Sequence, residues 1–226
     1  MPPSPPKAAS RRQPQQERSL AIVDAIVVAT CELLGDEGPS ATTNRIAERA
    51  GVSVGSLYRY FPSKDALFDA AAERYAARLL QVVGALDFRE PRRPLPEAAR
   101  EIVRALIAVE EEFPGLGSAI NRMRFNGRPF PVMDAMEHDG ERIVVDALAA
   151  IWPQGGRPVQ LVATVAIRAF VATVRVTLAY RPREIAKPAF VDEIMALMGG
   201  YMERVDEAAE RSGETEAPSG GVREET

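Results

Sequence analysis

Hydrophobic residues recur along most of this chain at intervals of three and four positions, the spacing that places them on one side of an α-helix. No window alternates polar and apolar residues for long enough to indicate a strand. The pattern predicts an all-α fold of about nine helices. The first spans about 17–35, with Gly35 and Gly38 as its stop. Two short helices lie within 42–62, and the others span about 63–86, 97–112, 115–125, 130–152, 159–180 and 188–211.

The two short helices lie in TTNRIAERAGVSVGSLYRYFPSK, residues 42–64. Thr42 or Thr43 can cap the first helix, and Gly51 follows it where a left-handed glycine commonly ends a helix. Ser53 can cap the second helix, and Pro62 ends it. Two helices joined in this way form a helix-turn-helix, which places its second helix in a DNA groove.

The outer side of the second helix carries the residues expected to meet DNA. Gly55 has no side chain to hold the helix away from the bases, and Val54 suits contact with a thymine methyl group. Arg59 suits a bidentate contact with a guanine edge, with a phosphate contact or a solvated charge as the alternatives. The threonines at the start of the first helix present hydroxyl and amide groups suited to a phosphate.

The run IAERAGVSVGSLYRYFPSKDAL, with a threonine four residues before its isoleucine, resembles the DNA-binding signature of TetR-family transcriptional regulators. The resemblance is dense over 42–68, and beyond residue 70 only the helical pattern agrees. It implies that Tyr58 and Tyr60 donate to phosphates, with packing as the alternative for Tyr60, and that Lys64 grips the DNA backbone. The expected DNA-contacting residues are Thr42, Thr43, Ser53, Val54, Gly55, Tyr58, Arg59, Tyr60 and Lys64.

The chain divides into four predicted segments. Residues 1–16, MPPSPPKAASRRQPQQ, have almost nothing to bury and are expected to be a disordered basic arm, either inert or in contact with DNA. Residues 17–62 form the helix-turn-helix DNA-binding domain, and 63–211 form a helical ligand-binding and dimerisation domain. Residues 212–226 are expected to be a disordered acidic tail.

Charge and cysteine content narrow the class of protein. The net charge is −4, but residues 203–226 hold eight acidic and three basic residues, so the rest of the chain is weakly basic. A single cysteine, Cys31, excludes an internal disulfide and fits the cytoplasm. The only histidine, His138, lies off the apolar stripe and is expected to be solvated. One histidine and one cysteine cannot build a metal cage or a nucleophile–base pair, so neither a metal, a cofactor nor an enzymatic activity is expected.

The segment 159–180 is long and apolar enough to raise the question of a membrane span. Arg168 and Arg175 lie inside it and would each be costly in a bilayer, so burial in protein is the preferred interpretation. TetR-family proteins dimerise through their last two long helices, and here these would form a four-helix interface between two subunits. The expected interface residues are Ala163, Ala166, Phe170, Val174, Phe190, Ile194, Leu197, Met198 and Tyr201.

The resemblance also implies a small-molecule pocket in the C-terminal helices, whose occupation spreads the two DNA-binding heads. An aromatic and methionine set could line it, or could be plain core: Met123, Phe125, Phe130, Met133, Met136 and Trp152. Arg168 and Arg175 share one helix face. If that face meets a cavity, the ligand should be anionic or rich in acceptors; if it faces outward, they serve an interface or pair with Glu184 or Asp192.

The sequence therefore predicts a homodimeric regulator that binds a palindromic operator on double-stranded DNA. It is expected to be a repressor released by a small, largely apolar ligand. The alternative is a ligand-independent or architectural DNA-binding protein with a solid C-terminal core. An α-helical enzyme is disfavoured, because the consecutive glutamates at 110–112 point in different directions around a helix and are expected to be solvated.

Overall fold

The computed structural model describes residues 12–85, 95–151 and 159–215, and these ranges contain helices and no strand. The all-α prediction is confirmed. The helices are α1 (Arg12–Glu37), α2 (Thr43–Arg49), α3 (Val54–Tyr60), α4 (Lys64–Gly84), α5 (Leu95–Glu112), α6 (Leu116–Phe125), α7 (Pro131–Ile151), α8 (Val159–Tyr180), α9 (Pro182–Ile185) and α10 (Pro188–Thr215). A 3-10 turn, Gly38–Ser40, follows α1. Residues 1–11, 216–226 and Trp152, for which the sequence suggested an arm, a tail and a ligand contact, lie outside the described residues.

Both terminal helices are longer than the sequence pattern predicted. The structure begins α1 at Arg12, so 12–16 are helical rather than disordered. Pro14 is compatible with this start because the first turn needs no intrahelical partner for its N–H groups. At the other end α10 continues to Thr215, so 212–215 belong to the helix rather than to a disordered tail. The one-turn helix α9 was not predicted.

One hydrophobic core joins α1–α3, the predicted DNA-binding head, to the body of the chain. It includes Ile26 of α1, Ile46 of α2, Leu57 of α3, Tyr75 of α4 and Leu116 of α6, none more than 1% exposed. Protein interiors are close-packed and transmit displacements. A shift of α6 must therefore be accommodated by α1, which belongs to the head, and by α4, which packs on α1.

The turn between α5 and α6 packs directly on α1. Gly115 in this turn has a φ of +74°, and a Cβ added to Gly35 would overlap the carbonyl oxygen of Pro114. Gly35 therefore does not end α1, as the sequence suggested, but lies within it and permits this approach. The helix ends at Glu37, and Gly38 follows with a φ of +61°.

The carboxylate of Glu110 lies at the start of α6. It accepts a hydrogen bond from the Tyr75 hydroxyl of α4 at 3.4 Å. The first N–H groups of a helix have no intrahelical acceptor, and the nearby backbone N–H groups of Ser118, Gly115 and Gly117 favour the charged carboxylate. Burial raises the pKa of Glu110 above its ordinary value. The expectation that Glu110 is solvated is wrong, whereas the next two glutamates are exposed.

The inner face of α8 is buried within its own chain. Phe170 and Val174 pack in a second core with residues of α5, α9 and α10, and this core includes Ile194. Ala163 and Ala166 are also buried, at 1% and 3% exposed. The prediction that these five residues form a dimer interface is wrong. A helix that is apolar on nearly all sides does not reveal in sequence which side meets its own subunit.

The outer face of α8 is exposed and still apolar. Its residues recur on one side of the helix over about 28 Å, and we call this surface the α8 stripe: Leu161, Val165, Ala169, Ala172, Val176 and Tyr180. The large members are 45–59% exposed. On α10, Leu197 is 73% exposed, and the other predicted interface residues Phe190, Met198 and Tyr201 are half-buried.

The segment Leu161–Tyr180 of α8 is long and apolar enough, by length and composition alone, to cross a membrane. Arg168 and Arg175 lie within it, and each would be costly at mid-bilayer. The inner face of the same helix packs against α6 and α7. These contacts are those of a helix within a folded helical body.

Most of the predicted apolar pocket lining is core. Met123, Phe130 and Met133 are 6%, 0% and 3% exposed and belong to the first core, and Met136 packs against its edge. These side chains fill space rather than line it, so their assignment to a ligand pocket is wrong. Phe125 differs, because it is 42% exposed and its ring stacks on Tyr180 at a centroid distance of 5.9 Å.

Candidate functional site

The helix-turn-helix is built by three caps and one glycine. The Thr42 hydroxyl accepts from the backbone N–H of Arg45 at 3.4 Å and begins α2, and the Ser53 hydroxyl accepts from that of Ser56 at 3.1 Å and begins α3. Ser63 caps α4 in the same manner. Between α2 and α3, Gly51 has a φ of +68°. The predicted caps and the left-handed glycine are therefore all present.

A hydroxyl pair joins the start of α2 to the recognition helix α3. The Thr43 Oγ1 and Tyr58 Oη atoms lie 3.2 Å apart, and either can be the donor. Tyr58 is 47% exposed, so its hydroxyl remains accessible to a ligand. The two residues that the sequence assigned to phosphates thus lie together at one surface, in reach of a single phosphate group.

Arg59 is braced by Tyr60. Its guanidinium donates to the Tyr60 Oη at 3.2 Å and lies 5.0 Å from the centre of that ring. Ser19 of α1 donates to the same phenolic oxygen at 3.2 Å, and this hydrogen bond is the main cause of a lowered pKa for Tyr60. Tyr60 is half-buried against the core edge. Tyr60 therefore packs, as the alternative suggested, and donation from its hydroxyl to a phosphate stays a prediction.

Lys64 lies at the start of α4, beside the head. Its Nζ donates to the carbonyl oxygen of Pro39 at 2.7 Å and lies 5.2 Å from the ring of Phe68. In this arrangement the ammonium group is fixed on the same side of the chain as the start of α2. Its contact with a DNA backbone stays a prediction.

Gly55 is not explained by packing within the protein. A Cβ added there would meet nothing within 4 Å, and Gly55 is exposed near the start of α3 beside the half-buried Val54. Glycine inside a helix is less stable than alanine by roughly 0.5–1 kcal/mol. No packing contact in the free protein therefore requires glycine at this position. Its presence is compatible with a role at the DNA surface.

Gly55→Ala should stabilise the fold slightly and weaken DNA binding. We expect a gain of about 0.5 kcal/mol in the free energy of unfolding, measured by chemical denaturation, and a higher Kd for DNA by fluorescence anisotropy. The control is Gly140→Ala on α7, where a Cβ also meets open space; it should change only the stability. Unchanged DNA affinity in Gly55→Ala would contradict close approach of α3 to the bases.

A charged groove lies between α7, α8 and the connection from α6 to α7, and we call it the α7–α8 groove. It consists of two adjoining cavities of about 410 and 310 Å³ that share Glu137, Glu141 and Arg175. Small-molecule pockets typically measure roughly 300–1,000 Å³. The groove therefore has the size of a ligand site. The walls of the larger cavity are mainly charged, whereas Ile167, Val171 and Ala172 add an apolar wall to the smaller one. His138 also lines it and is exposed, as expected.

Arg168 and Arg175 both line the α7–α8 groove. Arg175 donates to Glu137 at 2.9 Å and lies 5.3 Å from the Phe125 ring, while Arg168 donates to Glu141 at 2.8 Å. Burial lowers the pKa of Arg175. Arg175 is 26% exposed and lies in the groove wall, whereas Arg168 is 69% exposed and faces outward at the groove edge. Contact of either arginine with a ligand stays a prediction.

The suggested partners of these arginines are engaged elsewhere. Glu184 accepts from Lys187 at 2.7 Å, and Asp192 accepts from Arg100 at 2.6 Å. The predicted pairing of Arg168 and Arg175 with Glu184 or Asp192 is therefore wrong. The seven-residue spacing showed that the arginines share a face but not which helix covers it.

Arg128, which no pattern in the sequence indicated, links the groove to the start of α4 through hydrogen bonds. Its guanidinium donates to Asp69 Oδ1 and to the Asp65 carbonyl oxygen, both at 3.1 Å, and also contacts the Asp65 carboxylate. It lies 4.0 Å from the centre of the Phe130 ring. The residue is in a loop between a glycine and a proline, where no periodic pattern indicates a contact.

Two family models match the chain. One is described as bacterial regulatory proteins of the tetR family and covers residues 26–71. The other is described as a tetracyclin repressor-like C-terminal domain and covers residues 94–202. Together they span more than half of the sequence, and they include both the helix-turn-helix and the α7–α8 groove.

Solved structures with the same fold include regulators from two bacteria. A tetR-family transcriptional regulator from Streptomyces coelicolor is 20% identical, with 91% of this chain and 92% of that chain covered and a TM-score of 0.58. The TetR-like regulator LfrR from Mycobacterium smegmatis, solved in complex with proflavine, is 21% identical, with 79% and 95% covered and a TM-score of 0.54. At these identities the likeness concerns the fold alone.

Sequence relatives cover less of the chain. The HTH-type transcriptional regulator RutR of Escherichia coli strain K12 is 32% identical over 136 residues, which are 59% of this chain and 62% of RutR. The nucleoid occlusion factor SlmA of Haemophilus ducreyi is 39% identical over 75 residues, 33% of this chain and 36% of SlmA. The chain thus spans about a third to three fifths of the length of these relatives.

Proposed function

The chain belongs to the TetR family of DNA-binding transcriptional regulators, and we propose that it is a homodimeric repressor that leaves a palindromic operator when a small molecule binds. Regulators of this family bind DNA as dimers, often respond to small-molecule ligands, and are not enzymes. The cytoplasm is the compartment we assign to it.

The observation that carries the DNA-binding assignment is the capped helix-turn-helix with an exposed, hydroxyl-rich recognition helix. Thr43 and Tyr58 present a joined hydroxyl pair, and Arg59 stands beside them, braced on Tyr60. Hydroxyl groups and helix starts bind phosphates and fix the register, whereas arginine distinguishes guanine by its edge. This combination supplies both positioning and specificity, which a regulator needs and a general DNA-coating protein does not.

The surface we assign to dimerisation is the α8 stripe together with Leu197 of α10. A contiguous apolar surface of this length on a soluble protein marks an interaction site. Two copies of an apolar helix face related by a two-fold axis are self-complementary. The dimer would present its two heads to half-sites about 34 Å apart, one turn of the duplex.

The ligand we propose is polar rather than largely apolar. Met123, Phe130 and Met133 fill the core, whereas the α7–α8 groove is lined by arginines and carboxylates. LfrR, which has this fold, was solved with the small molecule proflavine. The competing proposal, a ligand-independent regulator, is favoured by the same tight packing of the methionine and aromatic residues. A ligand that stabilises the protein and releases DNA separates the two.

Footprinting on the DNA upstream of its own gene, followed by affinity measurements on the protected palindrome, tests the DNA-binding assignment. Arg59→Ala should weaken binding by about 1–3 kcal/mol and relax the preference at one base pair of each half-site. Tyr58→Ala should weaken binding to all sequences alike, because a phosphate contact carries no base information.

The matched control is Arg142→Ala, an exposed arginine of α7 whose side chain is 65% exposed. It should bind the operator as the unchanged protein does. If neither Tyr58→Ala nor Arg59→Ala altered the affinity or the preference, α3 would not be the recognition helix and the assignment would be overturned.

A further inference from the structure

We propose that the α7–α8 groove binds a small organic acid whose carboxylate takes the Arg128 guanidinium away from Asp65 and Asp69, and so loosens the DNA-binding head. This inference rests on the proposed ligand response and gives it a chemical class and a point of action. The arrangement of charges in the groove and the contacts of Arg128 support it.

The cations of the groove are built into its wall, whereas several of their partners are not. The side chains of Arg124, Arg128 and Arg175 are 6%, 19% and 26% exposed. Arg128 donates to the carboxylates of Asp65 and Asp69, which are 81% and 47% exposed, and also to the backbone carbonyl oxygens of Asp65 and Pro129. Ion pairs with exposed partners contribute only about 0–1 kcal/mol. An incoming anion can therefore replace these carboxylates with little loss, while the arginines stay in place.

The Arg128 guanidinium is held ready for an acid. It stacks 4.0 Å from the centre of the Phe130 ring and lies 5.7 Å from that of Phe68. These ring contacts hold the plane of the guanidinium group, with its forked N–H donors, even when its hydrogen-bond partners change. A planar guanidinium matches a carboxylate through two parallel N–H···O bonds, which is why arginine is favoured at such sites.

The acidic residues of the groove favour a ligand with hydrogen-bond donors. Glu137 and Glu141 lie where the two cavities meet and are 23% and 22% exposed, and a half-buried carboxylate accepts hydrogen bonds only. Glu137 is already paired with two arginines of the wall, whereas Glu141 is paired with Arg168, which is 69% exposed and therefore replaceable. The ligand that fits Arg128 and Glu141 is an acid that also carries an N–H or O–H donor, such as an amino or hydroxy acid, rather than a fatty acid.

Arg128 is the point where the groove meets the DNA-binding surface. Asp65 and Asp69 lie in the first two turns of α4, next to Lys64, and Lys64 and Arg128 both contact the ring of Phe68. Removing the Arg128 contacts takes away the polar links between this end of α4 and the α6–α7 connection, while Phe68 and Phe130 stay in the shared core. A ligand that binds the state without these links more tightly shifts the population toward it.

Three probes of one shape test the charge of the ligand: 4-aminobenzoate, the neutral 4-aminobenzamide and the cationic 4-aminobenzylamine. Calorimetry and thermal unfolding measure binding, and fluorescence anisotropy measures operator release, all at one ionic strength set with chloride. We expect the acid alone to bind at millimolar concentration and to raise the operator Kd at least about fivefold. Absence of binding by the acid, or equal binding by the amide, would overturn the proposal.

Arg128→Gln should abolish both binding of the acid and its effect on the operator, and Arg128→Lys should retain only part of each, because lysine lacks the planar fork. Arg142→Gln, outside the groove, should respond as the unchanged protein does. If Arg128→Gln failed to show a cooperative unfolding transition, Arg128→Lys would carry the test alone. An Arg128→Lys protein with the full response would contradict the role of the fork.

Different results would overturn the proposed function and the proposed binding of an acid. A protein that binds no operator, with or without probes, overturns the proposed function, and calorimetry with the acid still decides whether the groove is an acid site. A protein that binds the operator and is released by the amide or the amine, but not by the acid, retains the proposed function and overturns only this inference.

Discussion

Val165→Glu combined with Val176→Glu should convert the protein to a monomer and lower its affinity for a two-half-site operator by about 100-fold or more. Both valines lie on the α8 stripe and are 45% and 46% exposed, so the changes leave the subunit core intact. In a dimer the four new carboxylates would be brought together and desolvated. Loss of the dimer removes the tether that makes binding of the second head intramolecular.

Analytical ultracentrifugation and operator titration measure this effect, and a single half-site is the internal reference. Its weak affinity should be unchanged, because the head is not altered. The matched control is Leu80→Glu on α4, where the leucine is 54% exposed outside the stripe; this variant should remain dimeric. A double variant that stays dimeric would place the interface elsewhere.

Gly35→Ala should lower the free energy of unfolding by about 1–3 kcal/mol. The added Cβ would overlap the Pro114 carbonyl oxygen and come within 3.2 Å of the Leu116 nitrogen. Both obstacles are backbone atoms, so relief requires α1 and the α5–α6 turn to separate. The steric penalty exceeds the helix propensity that alanine gains over glycine.

Gly140→Ala is the matched comparison, because it makes the same change inside α7 with nothing within 4 Å of the new Cβ. It should raise the free energy of unfolding by up to about 1 kcal/mol, so the two variants should move in opposite directions in urea denaturation. If Gly35→Ala also stabilised the protein, the close packing of the α5–α6 turn on α1 would be incorrect. The same contact is part of the core that joins the head to α6.

The helix-turn-helix was predictable because its determinants are local. Each cap accepts a hydrogen bond from a residue three positions onward, as Ser53 does from Ser56, and Gly51 needs only its own conformation. The bounds of α4, α6, α7 and α8 follow in the same way from apolar spacing and from the prolines and glycines between them. The family resemblance rests on this same stretch, where spacing and residue type are fixed together.

The contacts that hold the head against the rest of the protein join distant parts of the chain. Ser19 meets Tyr60 across 41 residues, and Arg128 meets Asp65 across 63. No periodicity in the sequence indicates such pairs. For the same reason the sequence pattern predicted a surface glutamate at Glu110. Its carboxylate is buried only because the α5–α6 turn packs against it.

The sequence by itself determined the class of fold, the DNA-binding helix and the presence of an apolar helix near the C-terminus, because each depends on residues within one or two turns of one another. The tertiary structure alone decided which face of α8 is left for a partner, that Met123, Phe130 and Met133 are core, and that arginines converge on the α7–α8 groove. Those outcomes depend on which helices pack together, and an amphipathic or wholly apolar helix is compatible with several partners until the core is assembled.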